Sequence, residues 1–267
     1  MPPSPPASRA ALYHELIMKA SHCRCRCLSA VFALTLIELM LAGWLPLQAE
    51  PLKPGHPEVS TMPFSAAAGD ALTLPEPRKS GDVSVEEAIQ NRRSIRNFRD
   101  RPLTLPQIAQ LLWAAQGLTD PRGLRAAPSA GATYPLTLYL VSGPGGRLSA
   151  GLYKYDHAAH RISAMMEGDL RPELTNAALN QGAVARAPAT VVICARYDRT
   201  TGRYGERGIR YVHMEAGHAA QNLYLQAEAL GLGGVVIGAF RDREVARVLQ
   251  LPEDEAPLYL MPIGHPE

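Results

Sequence analysis

Three arginines and a serine fall within five residues in Arg92-Arg93-Ser94-Ile95-Arg96. Guanidinium groups present forked donors that match phosphate oxygens, and a serine hydroxyl adds another, so the run reads as a compact anion site. A solvated basic turn would contain the same residues. Ile95 and Phe98 interleave with the charges, which points to a segment packed down onto the protein. Two other stretches carry little side chain to hold a ligand off the main chain. Residues 125–135, RAAPSAGATYP, form a small-residue loop whose backbone amides are free to face a ligand. Gly231-Leu232-Gly233-Gly234 leads into Val235-Val236-Ile237-Gly238-Ala239, read as a buried strand. A candidate for moving a proton is His218, with a buried histidine bonded to Glu215 one turn earlier as the plainer alternative.

A long helix must position these groups. Ile209, Val212, Ala216, Ala220, Leu223, Ala227 and Leu230 recur at steps of three and four and make one apolar stripe. Tyr211, Glu215, His218 and Asn222 make a polar stripe beside it. The alanines and Gly217 let another helix approach closely, and Gly231 stops the helix. A long helix feeding a glycine turn and a strand edge suits a flat ligand held by backbone groups. A core or dimer helix with no ligand would show the same pattern. Upstream, Ser84 with Glu87 predicts a capping box for a helix to Asn91, and Thr104 with Pro106 starts a second that Gly117 ends. Residues 136–141 and 190–195 read as buried central strands. Residues 151–156 and 160–163 read as a hairpin, 170–179 and 241–249 as helices, and 257–263 as a final strand.

Residues 1–49 read differently. Lys19, Arg24 and Arg26 precede an apolar stretch, Leu28 to Leu47, and Ala49 ends a passable cleavage site, so a signal peptide is expected, with translation starting at Met1 or Met18. An uncleaved anchor is the rival; Glu38 opposes it, costing about 2.5–3.5 kcal/mol in a bilayer. The expected location is therefore outside the cytoplasm, in the periplasm, with membrane contact only through this segment. Cys23, Cys25 and Cys27 match no common zinc spacing and fall in the segment to be removed, and Cys194 reads as a small core residue. No metal constellation is present in the sequence. Residues 50–80 read as a linker or surface arm, with order beginning at Gly81, and 81–267 as one domain. A net charge of +2, with 46% hydrophobic and 19% charged residues, is ordinary globular composition and gives no case for a nucleic-acid partner.

Arg92-Arg93-Ser94-Ile95-Arg96-Asn97-Phe98, residues 128–135 (PSAGATYP), residues 215–223 (EAGHAAQNL) and Gly231-Leu232-Gly233-Gly234 occur in an order that resembles the flavin-dependent nitroreductase superfamily, and specifically its SagB/thiazole-oxazole dehydrogenase-like branch. The resemblance runs from about Val83 to Pro266. It implies an α+β fold with a mixed central sheet flanked by helices, and a homodimer built on the long helix. It further implies FMN at the dimer interface, two-electron transfer to or from a small organic substrate, and NAD(P)H as a candidate donor. Arg92, Arg93, Ser94 and Arg96 would hold the FMN phosphate and ribityl end. Pro128, Ser129 and Ala130 would approach from the partner, and the backbone of Ile237, Gly238 and Ala239 would lie against the N5 edge of the ring. Two features depart from the family pattern. After the last strand only His265 is available where a basic residue would reach the phosphate. Where azole-forming members carry Lys-Tyr, this chain has Arg203-Tyr204; arginine does not release a proton as a base would, and the resemblance leaves Tyr204 as a candidate proton donor, a packed structural tyrosine being the plainer alternative. Peptide azoline oxidation and a degenerate ligand-binding dimer are the alternative functions.

Overall fold

The computed structural model describes residues 71–267. The expected signal segment, its three cysteines and the start of the arm lie outside the described residues. Two apolar runs make the middle of the sheet. β2 (Leu136–Ser142) and β5 (Ala189–Ala195) pair antiparallel along their full lengths, and every residue of β5 is buried. Such strands are apolar throughout because both faces are covered. On one face Leu138, Leu140, Val191 and Ile193 pack with Leu112 of α2 (Leu105–Gln116) and Leu223 of α6 (Arg207–Ala229). On the other, Tyr139, Val141, Val192 and Cys194 pack with α3 (Arg171–Ala177), α4 (Gly182–Arg186) and α7 (Asp242–Val248). Cys194 is fully buried, as expected for a core residue, and burial pushes its thiol pKa up.

The hairpin of β3 (Gly151–Asp156) and β4 (Arg161–Glu167) extends the sheet beyond β2, and β7 (Ala256–Gly264) lies on the far side of β5. With β1 (Ala71–Thr73) and β6 (Gly233–Gly234) at the edges, the strand order is β1-β4-β3-β2-β5-β7-β6. All ladders between these strands are antiparallel, and the parallel component of the expected mixed sheet is a single bridge from Ser94 to Gly234. The arm is structured earlier than Gly81. Ala71–Thr73 forms β1 on β4, Leu74 is buried, and Arg78 exchanges two backbone hydrogen bonds with the Gln110 side chain.

The glycine-led strand is shorter than its sequence predicts. β6 covers only Gly233–Gly234, and Ile237 then meets Leu260 at one bridge. The facing residue Pro262 accepts from Val235 N–H but has no N–H to return, and the Val236 amide turns to the Tyr224 hydroxyl. The capping box expected at Ser84 is a single cap, with Ser84 Oγ accepting from Glu87 N–H at the start of α1 (Val85–Asn91). The reciprocal box occurs at Thr104 and Gln107, ahead of α2. α6 ends at Gly231, whose φ of 67° suits a residue without a Cβ. Ile209, the first member of its apolar stripe, is exposed.

Candidate functional site

The basic turn follows from how α1 stops. Arg92 caps the helix through its N–H to Ala88 O, and the chain then lies against β6, with Ile95 N–H donating to Gly234 O at 2.9 Å. Gly233 is required beneath it, since a Cβ there would sit 2.7 Å from the Ile95 side chain. Phe98 is buried and bridges Pro266, so the segment is packed down and is not a free basic turn. Tyr224 of α6 joins the pieces. Its hydroxyl lies 3.2 Å from Ser94 Oγ and accepts from Val236 N–H at 2.8 Å, while the Arg92 guanidinium stands 5.0 Å over its ring. Arg93 and Arg96 are exposed. Among the described residues no carboxylate pairs with Arg92, Arg93 or Arg96.

Downstream of Ile237 the chain leaves the sheet with Gly238 and Ala239 exposed. Gln181 Nε2 holds Ala239 O at 2.7 Å, and neither the Gly238 nor the Ala239 amide donates to an acceptor among the described residues. A cavity of about 560 Å³ opens beside Gly238. Unpaired guanidinium groups at one end of an extended edge and free amides at the other suit an elongated ligand with a phosphate and a flat ring.

The small-residue loop is built around an internal lock. Ser129 Oγ accepts from Tyr134 N–H at 2.9 Å, and Ala130–Ala132 close a short 3-10 turn in which Gly131 has φ 61°. Tyr204, at the end of α5 (Asp198–Tyr204), packs its hydroxyl where a Cβ on Gly131 would come within 2.5 Å, and its ring meets Tyr211 edge-on at 5.2 Å. Arg203 donates to Gly131 O. Arg203 and Tyr204 therefore brace the loop. Behind it lies Glu215, only 3% exposed. Burial pushes its carboxyl up to about 7, against the opposing pull of the Ser129 hydroxyl and the Arg125 charge. The expected Glu215–His218 pair does not form: His218 is exposed on α6 while Glu215 faces inward. His265 Nε2 is buried with no hydrogen-bond partner among the described residues, so it does not stand open beside the arginines.

Within one chain, then, Ser94 and Ile95 meet Gly234 and, through Tyr224, Val236, one residue short of Ile237, while Pro128–Ala130 lie elsewhere on α6. The loop sits at Glu215 and the basic turn at Tyr224, nine residues or about 13 Å apart along α6. Tyr224, Tyr197 and His213 escaped the sequence reading. Tyr224 falls one residue after Leu223, where the apolar stripe hides it.

The Nitroreductase family profile matches residues 89–265. A protein of Methanocaldococcus jannaschii named as a nitroreductase is 44% identical over 196 residues, covering 73% of this chain and 98% of that one. The crystal structure of a Ralstonia eutropha JMP134 protein described as a nitroreductase superposes with a TM-score of 0.66 at 32% identity, covering 82% of this chain and 98% of that chain. An NADPH:FMN oxidoreductase from Vibrio harveyi, solved with NAD+, matches with a TM-score of 0.51 at 28% identity over 68% of this chain and 69% of that chain. The chain belongs to the nitroreductase family of oxidoreductases, and has its α+β fold.

Proposed function

We propose that the protein is an exported, homodimeric FMN-dependent oxidoreductase that passes two electrons to or from a small organic substrate. One observation carries the reading: Ser94 is bridged to Gly234, so unpaired arginines lie at the head of a strand edge that ends in free amides. Arg92, Arg93, Ser94 and Arg96 hold the phosphate and ribityl end, and the Ile237–Ala239 backbone lies along the N5 edge of the ring. FMN supplies the hydride chemistry when bound; the protein orients the ring and keeps water from it. Pro128–Ala130 complete the pocket from the partner subunit. Because the Ser129 hydroxyl is turned inward, that approach falls to the loop backbone and Ala130. NAD(P)H is the candidate donor, supported by the Vibrio harveyi relative.

Motif order supports the SagB-like branch, but Arg203 braces Gly131 and offers no base for azoline oxidation. The general nitroreductase reading is therefore preferred to heterocycle dehydrogenation. Pairing runs along the outer face of α6, where Met214 is 50% exposed. Met214→Glu is expected to convert a sedimenting dimer to monomer at micromolar concentration and to abolish FMN retention. A variant that stays dimeric and yellow would remove this face from the interface.

A further inference from the structure

Two kinds of residue line the cavity beside Gly238. Phe240, Leu258 and Tyr259 are apolar or aromatic. The Tyr197 hydroxyl and His213 Nε2 share a 2.7 Å hydrogen bond, with the rings edge-to-face at a centroid separation of 5.6 Å. Among the described residues no lysine or arginine lines the cavity, and Asp242 is its one carboxylate. The space suits a small planar molecule, and its chemistry favours a neutral one over an anion.

Tyr197 begins the turn into α5, and His213 comes from α6, so two separate elements are needed to bring the pair together. Burial, with the Asp242 charge, holds the Tyr197 hydroxyl above its ordinary value and keeps it protonated. When His213 Nε2–H donates to the tyrosine oxygen, the Tyr197 O–H is left free to point at a ligand. His213 is exposed, so protons can reach its ring from water.

We propose that Tyr197, backed by His213, is the proton donor to the oxygen of a neutral planar acceptor seated in this cavity. The assignment rests on the flavin reading above, since Gly238 belongs to the edge given to the ring. In the step, hydride from reduced FMN brings two electrons and forms the new bond to hydrogen on the acceptor. The charge that develops on the acceptor's oxygen takes the proton as the Tyr197 O–H breaks. His213 then takes a proton from water at Nδ1 as its Nε2 proton passes to the tyrosinate, so the ring stays neutral. The flavin is reduced again by a two-electron donor of the dihydronicotinamide class.

Tyr197→Phe keeps the ring and removes only the hydroxyl; His213→Gln keeps a donor but not a relay. FMN-loaded protein reduced with dithionite would be mixed with 1,4-naphthoquinone and flavin reoxidation followed. Reoxidation is expected to slow about a hundredfold in Tyr197→Phe, with flavin content unchanged and a smaller loss in His213→Gln. In oxidised wild-type protein, 1,4-naphthoquinone should shift the imidazole NMR signals of His213, and its 2-sulfonate should not. Reoxidation of Tyr197→Phe at the wild-type rate, or loss of its FMN, would overturn the proposal, as would an unmoved His213 signal or equal binding of the sulfonate. Wild-type protein that takes up no FMN would instead sink the flavin reading, while the His213 signal would still decide whether the cavity receives the ring.

Discussion

Replacing Arg92 and Arg96 together by alanine is expected to weaken FMN binding about a thousandfold. Hydrogen bonds to an ionised partner are worth ~2 kcal/mol each, and two of them amount to ~4 kcal/mol, or three decades in Kd. The fold should be unaffected, because neither guanidinium is paired to a protein carboxylate. Arg92 reaches its place over the Tyr224 ring, so Arg92→Lys keeps a charge there but loses the fork, with a smaller loss. Quenching of FMN fluorescence gives the affinity, and a thermal melt without FMN checks that the variants are folded. Unchanged affinity in the double variant would take the phosphate away from this turn.

Replacing Glu215 by glutamine is expected to stabilise the protein at pH 8 and leave it nearly unchanged at pH 4. The residue is 3% exposed, and one of its carboxylate oxygens has no hydrogen-bond partner among the described residues. Its folded pKa of about 7 stands above the ordinary 4.5. A group raised in this way contributes stability fully present below the unfolded value, and loses it as pH rises through the folded value. At ~1.4 kcal/mol per unit the swing is ~3 kcal/mol, complete above about pH 8. Urea unfolding of wild type and Glu215→Gln at several pH values isolates this group from every other titrating group. A difference between the two that does not grow from pH 4 to pH 8 would mean that Glu215 is solvated or fully paired.

What the sequence made legible was local. The continuous apolar runs at 136–141 and 190–195 announce strands covered on both faces, and the three-four spacing from Val212 to Ala227 announces α6. The arginine turn is legible too, because Ile95 and Phe98 among the charges require a packed segment. Features set by distant partners were not legible. β6 stops at Gly234 because Pro262, on another strand, has no amide to return. Glu215 turns away from His218 toward Ser129, a residue 86 positions earlier. The Tyr197–His213 pair joins side chains from two helices, and nothing in the text of either marks the meeting. α4 and α5 are too short to show a period, and α4 opens on Gly182, which has poor helix propensity. That Ser94 and Val236 meet through Tyr224 follows only from the fold.

The central claim is that this chain holds FMN at the edge headed by Ser94 and Gly234. Titrating the purified protein with FMN while recording the visible absorption spectrum tests it most directly. The account predicts a perturbed, protein-bound flavin spectrum that saturates at about one FMN per chain. A spectrum that stays that of free flavin at every ratio would contradict it.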